Sequence, residues 1–433
     1  MPRPTPSPAA EGETVAAVRA ALERLAPDGR LGVAVSGGGD SIALLVLAAA
    51  SLGSARLAAA TVDHGLRPES AAEARAAGRV CRSLGVEHAS LRWDAEPSGN
   101  LQAAARAARH RLLGAWARRA GLAAVLLGHT RDDQAETVLL RLARGSGIDG
   151  LSGMAERVEI AGTLWLRPLL GVSRAALREV LIARGLTWSE DPSNADPRFD
   201  RVRARQALAA LGALGLDADG LVRTADRLRA QRAALDRAVD AFATTAAAHQ
   251  PEGYVRFDRS ALARTAAEGP GGRETALRLF SRALLAVGGG AYRPDYEAAD
   301  RLLSTCLSRQ EGRATLAGCL CEIAPERVDI LREPARVSDP VPGDARHWDG
   351  RWEIRLSGDP GDLEIGALGE AGLRCLAEAA SAGWRPPTAW AQAPRAARAT
   401  TPALWRGETL LAVPLAAYRT AEGPEIRVRW VGI

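Results

Sequence analysis

The chain has 433 residues, 47% hydrophobic and 25% charged, a globular composition long enough for about two or three domains of ~150 residues. No apolar run approaches the ~20 residues of a membrane helix, and the Pro-rich start MPRPTPSPAAEGE, read as a disordered tail over 1–12, lacks the build of a secretory signal. Net charge is +5 and all 56 basic residues are arginine, so a polyanionic partner is permitted, while a Walker-type lysine, a Schiff-base lysine and a lysine general base are excluded.

An Ala-rich amphipathic helix is predicted over 13–25. LGVAV (31–35) is a compact apolar strand that ends in glycines and leads into a helix, SIALLVLAAASLG. The pattern then repeats: strand 55–63 with helix 73–85, strand 88–93 with helix 103–121, strand 122–128 with helix 130–145, and strand 164–170 with helix 173–185. Short apolar strands alternating with amphipathic helices predict a parallel sheet covered on both faces. Ligands bind such sheets beyond the strand C-termini. From Asp191 the chain becomes turn-rich and then helical and arginine-rich to about Leu303, and after Glu311 short alternating runs return. The expected organisation is therefore an α/β catalytic domain over 13–205, a helical domain over 206–310 and a small α+β domain over 311–433. Five cysteines without a CxxC do not form a disulfide framework. Alternation in LAGCLCEI puts Cys319 and Cys321 on one face, as buried packing in a protein of the reducing cytoplasm.

The first candidate site is Ser36-Gly37-Gly38-Gly39-Asp40-Ser41. Three glycines after a strand let the backbone turn sharply and bring amide N–H groups to a phosphate. The following helix N-terminus is a seat for pyrophosphate, and Asp40 is placed to carry Mg²⁺ between phosphates. The bland alternative is a βα turn that binds nothing. SGGGDS resembles the signature of the PP-loop, or N-type, ATP pyrophosphatases, which cleave ATP to AMP and pyrophosphate. That resemblance implies an adenine-nucleotide α-hydrolase-like sandwich and ATP as substrate.

Later segments narrow it. VDHGLRPES (62–70) carries Asp63, His64 and Arg67; by itself it is a polar turn at a strand end. SGNLQAAARAARHRLL (98–113) puts Arg106 and Arg109 on one helix face, either for nucleic acid or simply solvated. In GHTRDDQAET (128–137), Gly128 precedes His129, Asp132, Asp133 and Glu136, which stack on one side of a helix. Thr130 is placed as its cap, and acidic residues in a first turn also complement the helix dipole. RLARGSGIDGLSGM (141–154, with Arg141 and Arg144), RPLL (167–170) and DPSNADPRFDRVRAR (191–205) follow. Together these strings resemble the lysidine synthetase branch of the PP-loop family, densely over about 30–210 and more weakly at TPALWRGETLLAVP (401–414). One departure stands out: Val202 occupies the place of the family's usual Asn, so that residue's role is not carried over.

The resemblance implies that ATP activates the wobble cytidine of an isoleucine tRNA with a CAU anticodon and that free L-lysine then displaces AMP. It implies Asp40, Asp133, Glu136 and Arg205 as catalytic residues, with Asp133 and Glu136 holding lysine. ATP would meet Ser36 to Ser41, Asp63, His64, Gly128 and His129, with Mg²⁺ on Asp40, and tRNA would meet Arg67, Arg106, Arg109, Arg141 and Arg144. A homodimer is left open and no membrane partner is expected. The nearest rival is a PP-loop tRNA thiolase, but those enzymes typically use catalytic cysteines or a cluster-binding CxxC, and Cys81 falls in mid-helix. A non-catalytic nucleotide-binding protein would leave the 128–137 carboxylates unexplained.

Overall fold

Strand alternation sorts the apolar runs of the first half into two buried faces. The computed structural model describes residues 8–63, 70–93, 101–160, 162–189, 196–290 and 292–431, and the chain divides into two units, Met1–Arg232 and Ala233–Ile433. The first unit runs α1 (Pro8–Leu25), β1 (Leu31–Ala34), α2 (Gly39–Leu52), β2 (Leu57–Asp63), α3 (Ser70–Ser83), β3 (Glu87–Arg92), α4 (Leu101–Arg119), β4 (Ala124–Leu126), α5 (Arg131–Ala143), α6 (Ile148–Leu151), β5 (Arg157–Ile160), β6 (Thr163–Leu166), α7 (Arg174–Ala183), α8 (Asp200–Leu211) and α9 (Ala218–Ala246), with the division between units falling inside α9.

The sheet order is β3-β2-β1-β4-β6-β5. All neighbours are parallel except β5, which runs antiparallel to β6. Leu31, Val33, Leu57, Ala59, Ala124 and Leu126 pack with α1, α2 and α7 through Val18, Leu22, Leu44, Leu45, Leu177 and Leu181. The alternate residues Ala58, Ala60, Val125, Leu127 and Trp165 pack with Leu113, Trp116 and Ala117 of α4. Burial on both faces is why these strands read as near-continuous apolar runs. Strand order reverses between β1 and β4, and the loops leaving these two strands face a common crevice.

Two local expectations shift. α1 begins at Pro8, inside the stretch read as a tail. β5 is a further shift: RVEI is a largely exposed, charged edge that pairs with β6 and contributes only Val158 to the core, too little for an apolar run.

The second unit overrides the expected boundary between 310 and 311. β7 (Ala247–Gln250), β8 (Tyr254–Asp258), β9 (Gly312–Leu316), β10 (Cys319–Ile323) and β11 (Arg327–Arg332) form one antiparallel sheet, ordered β7-β8-β11-β10-β9. The helices α10 (Arg259–Ala267), α11 (Pro270–Gly288) and α12 (Tyr296–Ser308) lie between them in sequence. A single core takes Phe257, Leu277, Phe280 and Leu303 from before that boundary and Cys319, Cys321 and Ile330 from after it. The amphipathic helices bury their apolar faces on a sheet whose strands come from both sides of them, so the two expected domains are one. Cys319 and Cys321 do share the buried face of β10.

Beyond β11 the chain adds two small antiparallel sheets. One comprises β12 (Val341–Pro342), β15 (Glu364–Ala367), β16 (Pro402–Arg406), β17 (Thr409–Val413) and β18 (Tyr418–Arg419); the other comprises β13 (His347–Trp348), β14 (Trp352–Leu356) and β19 (Ile426–Trp430). In the turn between β13 and β14, Asp349 adopts a left-handed φ of +52° and accepts hydrogen bonds from two buried guanidinium groups, Arg332 (2.7 and 3.0 Å) and Arg351 (2.8 Å). Those arginines also reach the carbonyls of Gly253, Gly288, Gly318 and Thr400, tying five segments of the unit to one carboxylate.

Candidate active site

β1 delivers the chain into a tight loop. Gly37 turns it with φ +87°, a region that strains residues bearing a Cβ. Ser41 Oγ donates to the Gly38 carbonyl (2.8 Å) and accepts the Ser36 N–H (3.1 Å), so the loop is clamped across its mouth. α2 then starts with Gly38 as N-cap and no side-chain cap, which leaves helix-end amides for an anion. The loop after β4 comes alongside: a Cβ on Gly128 would lie 3.2 Å from the Asp40 carbonyl and the Ser41 Cα. Gly128→Ala is expected to push the two loops apart at a cost of roughly 1–3 kcal/mol, and to weaken ATP binding by about tenfold, a loss of ~1.4 kcal/mol. Thermal unfolding and a nucleotide titration read the two effects separately.

α5 opens on a capping box. Thr130 Oγ1 accepts the Asp133 N–H, while Asp133 Oδ2 accepts from the Thr130 N–H (2.8 Å) and hydroxyl (2.9 Å). The other Asp133 oxygen faces Arg174 of α7, at 3.2 Å, and Arg201 of α8, at 3.6 Å. Arg174 also donates to Asp40 (3.2 Å) and stands 3.7 Å from Glu136. Glu136 Oε1 accepts from Arg205 Nε (2.9 Å), and its side chain is 1% exposed. Its Oε2 has no hydrogen-bond partner among the described residues.

These surroundings set the charges apart. Burial pushes the Asp133 carboxyl up, but the Thr130 amide and the Arg174 and Arg201 charges outweigh it and hold it below the usual carboxylate range. Burial and the neighbouring Asp133 charge push Glu136 up despite Arg205. Burial likewise raises Asp40, against the pull of Arg174.

A cavity of about 660 Å³ lies over this arrangement. Of the residues singled out from sequence, Ser36, Gly38, Gly39, Asp40, Ser41, Arg109, Gly128, His129, Asp133 and Arg205 line it. Glu136 sits behind Arg174 and Arg205 rather than on the wall. Asp63 does not line the cavity either: alternation along β2 turns Ala60 and Val62 to that wall and Asp63 to the opposite face. His64, Arg67 and the side chain of Arg106 lie outside the described residues. Arg141 donates to the carbonyls of Gly150 (2.8 Å) and Gly153 (2.9 Å) and so braces the loop after α5. Arg144 pairs with Asp200 at the surface.

Sequence reasoning missed Arg174, Arg178, Trp188, Phe199 and Arg201, all of which line the cavity. A signal was present: Arg174 and Arg178 stand four apart behind the helix cap Ser173, and therefore share one face of α7. Val202, buried in the place of the usual Asn, gives the wall an apolar patch.

The family profile described as PP-loop domain matches residues 13–211. A tRNA(Ile)-lysidine synthase of Ruegeria pomeroyi is 42% identical over 399 residues, which cover 90% of this chain and 89% of the relative. The chain belongs to the tRNA(Ile)-lysidine synthase family. A second tRNA(Ile)-lysidine synthase, of Rhodopseudomonas palustris, is 42% identical over 329 residues, covering 70% of this chain and 90% of the relative. In this lysidine synthase family member, Cys81 is buried in α3 and burial pushes its thiol up to about 11. That suits core packing and not the thiolate a sulfur-transferring nucleophile needs.

Proposed function

We propose that this protein joins free L-lysine to C2 of the wobble cytidine of an isoleucine tRNA with a CAU anticodon, in the cytoplasm, at the expense of ATP. Cytosine O2 attacks the α-phosphorus of ATP and pyrophosphate leaves, so C2 carries an adenylate. The lysine ε-amine then attacks C2, the C2–O bond breaks, AMP departs with that oxygen, and the amine gives up its proton. The observation that carries this reading is the placement of a phosphate-type glycine loop and the Asp133 carboxylate on the walls of one cavity, with Arg174 between them.

The loop 36–41 and the first turn of α2 take the phosphates through backbone amides. Asp40, a single carboxylate beside that loop, fits the way Mg²⁺ is commonly held, by one or two carboxylates plus phosphate oxygens. Bound at Asp40, Mg²⁺ would supply charge neutralisation for the leaving pyrophosphate. Arg109, Arg201 and Arg205 line the same cavity as fixed cations for developing phosphate charge. Asp133 and Glu136 receive the lysine ammonium. Glu136, with its carboxyl raised above the usual range, is the better placed to take the proton an ammonium must lose before it can attack. Phe199 offers a surface on which a splayed-out base can stack. Arg67, Arg106 and Arg144 are assigned to the RNA backbone.

The test incubates the protein with ATP, Mg²⁺, radiolabelled lysine and tRNA transcripts. Label is expected in the isoleucine CAU transcript, with equal AMP release and resistance to the mild base that strips aminoacyl esters. A methionine tRNA with the same anticodon is expected to stay unlabelled. AMP and pyrophosphate formed without lysine entering RNA would overturn the assignment.

A further inference from the structure

Arg174 is held differently from two arginines that pair with an aspartate elsewhere in the chain. Arg332 and Arg256 each grip one aspartate with two close hydrogen bonds, 2.7 and 3.0 Å to Asp349 and 2.7 and 2.9 Å to Asp329, the geometry of a fixed structural pair. Arg174 instead spreads one guanidinium over three carboxylates at 3.2, 3.2 and 3.7 Å and closes tightly on none. Its backbone is anchored independently: Asp132 accepts the Arg174 N–H at 2.8 Å, and Ser173 caps the helix. The side chain can therefore swing without loss of the helix start, and it borders the cavity.

Its position is also specific. Two of its carboxylates, Asp133 and Glu136, are those assigned above to the lysine ammonium, and the third, Asp40, adjoins the phosphate loop. While Arg174 stays, an arriving ammonium meets a cation already seated, and Glu136 remains covered. Glu136 Oε2, buried and lacking a donor among the described residues, marks hydrogen-bonding capacity that the guanidinium leaves unused and that an ammonium, with three donors, can fill.

Resting on the lysine reading above, we infer that Arg174 is a positioning residue that couples the two substrates: in the free protein it occupies the lysine carboxylates, and the phosphates of ATP draw it to the loop side and open them. The incoming anion offers Arg174 a better partner than a carboxylate already shared with Arg201 or Arg205, and the incoming lysine restores the lost charge on Asp133 and Glu136. Such coupling is reciprocal, so lysine also tightens the nucleotide by the same factor.

The experiment is a binding cycle on the full chain by calorimetry, with L-lysine titrated alone, with a non-hydrolysable α,β-methylene ATP analogue, with inorganic pyrophosphate and with adenosine. In the unmodified protein the analogue and pyrophosphate are each expected to tighten lysine by about tenfold or more, and adenosine is not. In Arg174→Gln lysine is expected to bind without nucleotide, and the ratio to fall to about one. In Arg174→Lys, whose compact head reaches fewer carboxylates, it is expected to fall between. An arginine that is merely structural would lower the melting temperature of these variants and leave the ratio unchanged. Lysine binding equally well with and without pyrophosphate in the unmodified protein would overturn the coupling and leave the lysine assignment standing. This arm does not depend on the variants folding. Lysine bound under no condition would remove both.

Discussion

Replacing Asp133 with Asn is expected to cut lysine transfer to tRNA by about 100-fold while the protein stays folded, in keeping with ~1.5–3 kcal/mol for a hydrogen bond to a charged group. One oxygen of Asp133 closes the α5 capping box and the other faces Arg174 and Arg201. Asn keeps an acceptor for Thr130, so the helix start survives at a cost of about 1 kcal/mol or less. It cannot supply the charge. An amide nitrogen turned toward Arg174 would set donor against donor, and an ammonium would find one carboxylate fewer. The pH dependence separates charge from shape. The Asp133 carboxyl is held below its unfolded value, ~3.9, so its contribution to stability is fully present above that pH and is lost as pH falls through the folded value. The melting temperatures of the two proteins are therefore expected to differ most near neutrality and to converge in strong acid. An Asn variant with near-normal lysine transfer would remove Asp133 from the lysine site.

What was legible in the sequence was whatever a short period or a local motif carries. The apolar runs of β1, β2 and β4 announce strands buried on both faces, and SGGGDS and HTRDDQAET are each one short continuous segment of chain. The cavity wall built by α7 was not legible. Arg174 is 134 residues from Asp40, and what brings them together is the packing of Leu177 and Leu181 against the α2 side of the sheet. Asp63 lies off the cavity wall for a different reason: a residue one step along a strand changes face, and motif reading counts residues rather than faces. In the second half, β7 and β8 sit inside the stretch read as helical and arginine-rich. They are short, and the far partner of β8, β11, lies some seventy residues further on, so no local pattern joins them to the later strands. Arg141 shows the limit of charge as a signal. A surface-type motif suggested RNA, yet its guanidinium serves two carbonyls of its own loop.

Asp349→Ala is expected to destabilise the protein by about 3–5 kcal/mol, the cost of removing one partner from a buried ion pair. The cause is what remains: Arg351 is fully buried and Arg332 nearly so, and without the carboxylate two guanidinium groups would share one dry space. Their bonds to the Gly253, Gly288, Gly318 and Thr400 carbonyls supply dipoles and no countercharge. The backbone adds to the effect, because Asp349 sits at φ +52°, which Asp and Asn tolerate better than Ala. Asp349→Asn keeps that tolerance and much of the hydrogen bonding, so the difference between the two variants isolates the backbone from the charge. Burial pushes the Asp349 carboxyl up, and the Arg332 hydrogen bonds, the Arg351 charge and the Ser338 amide outweigh it, leaving it below the usual range. Its stabilisation is therefore present above the unfolded carboxylate pKa, ~3.9, and is lost as pH falls through the folded value. Thermal unfolding of the full chain at neutral pH is expected to show the Ala variant melting roughly 10 °C lower, at about 2–4 °C per kcal/mol for a unit of this size. The gap should narrow in acid, where protonation imposes on the unmodified protein the same unpaired arginines. A neutral-pH midpoint within about 2 °C of the unmodified protein would mean that water enters beside Arg351 and that the carboxylate does not hold these segments together.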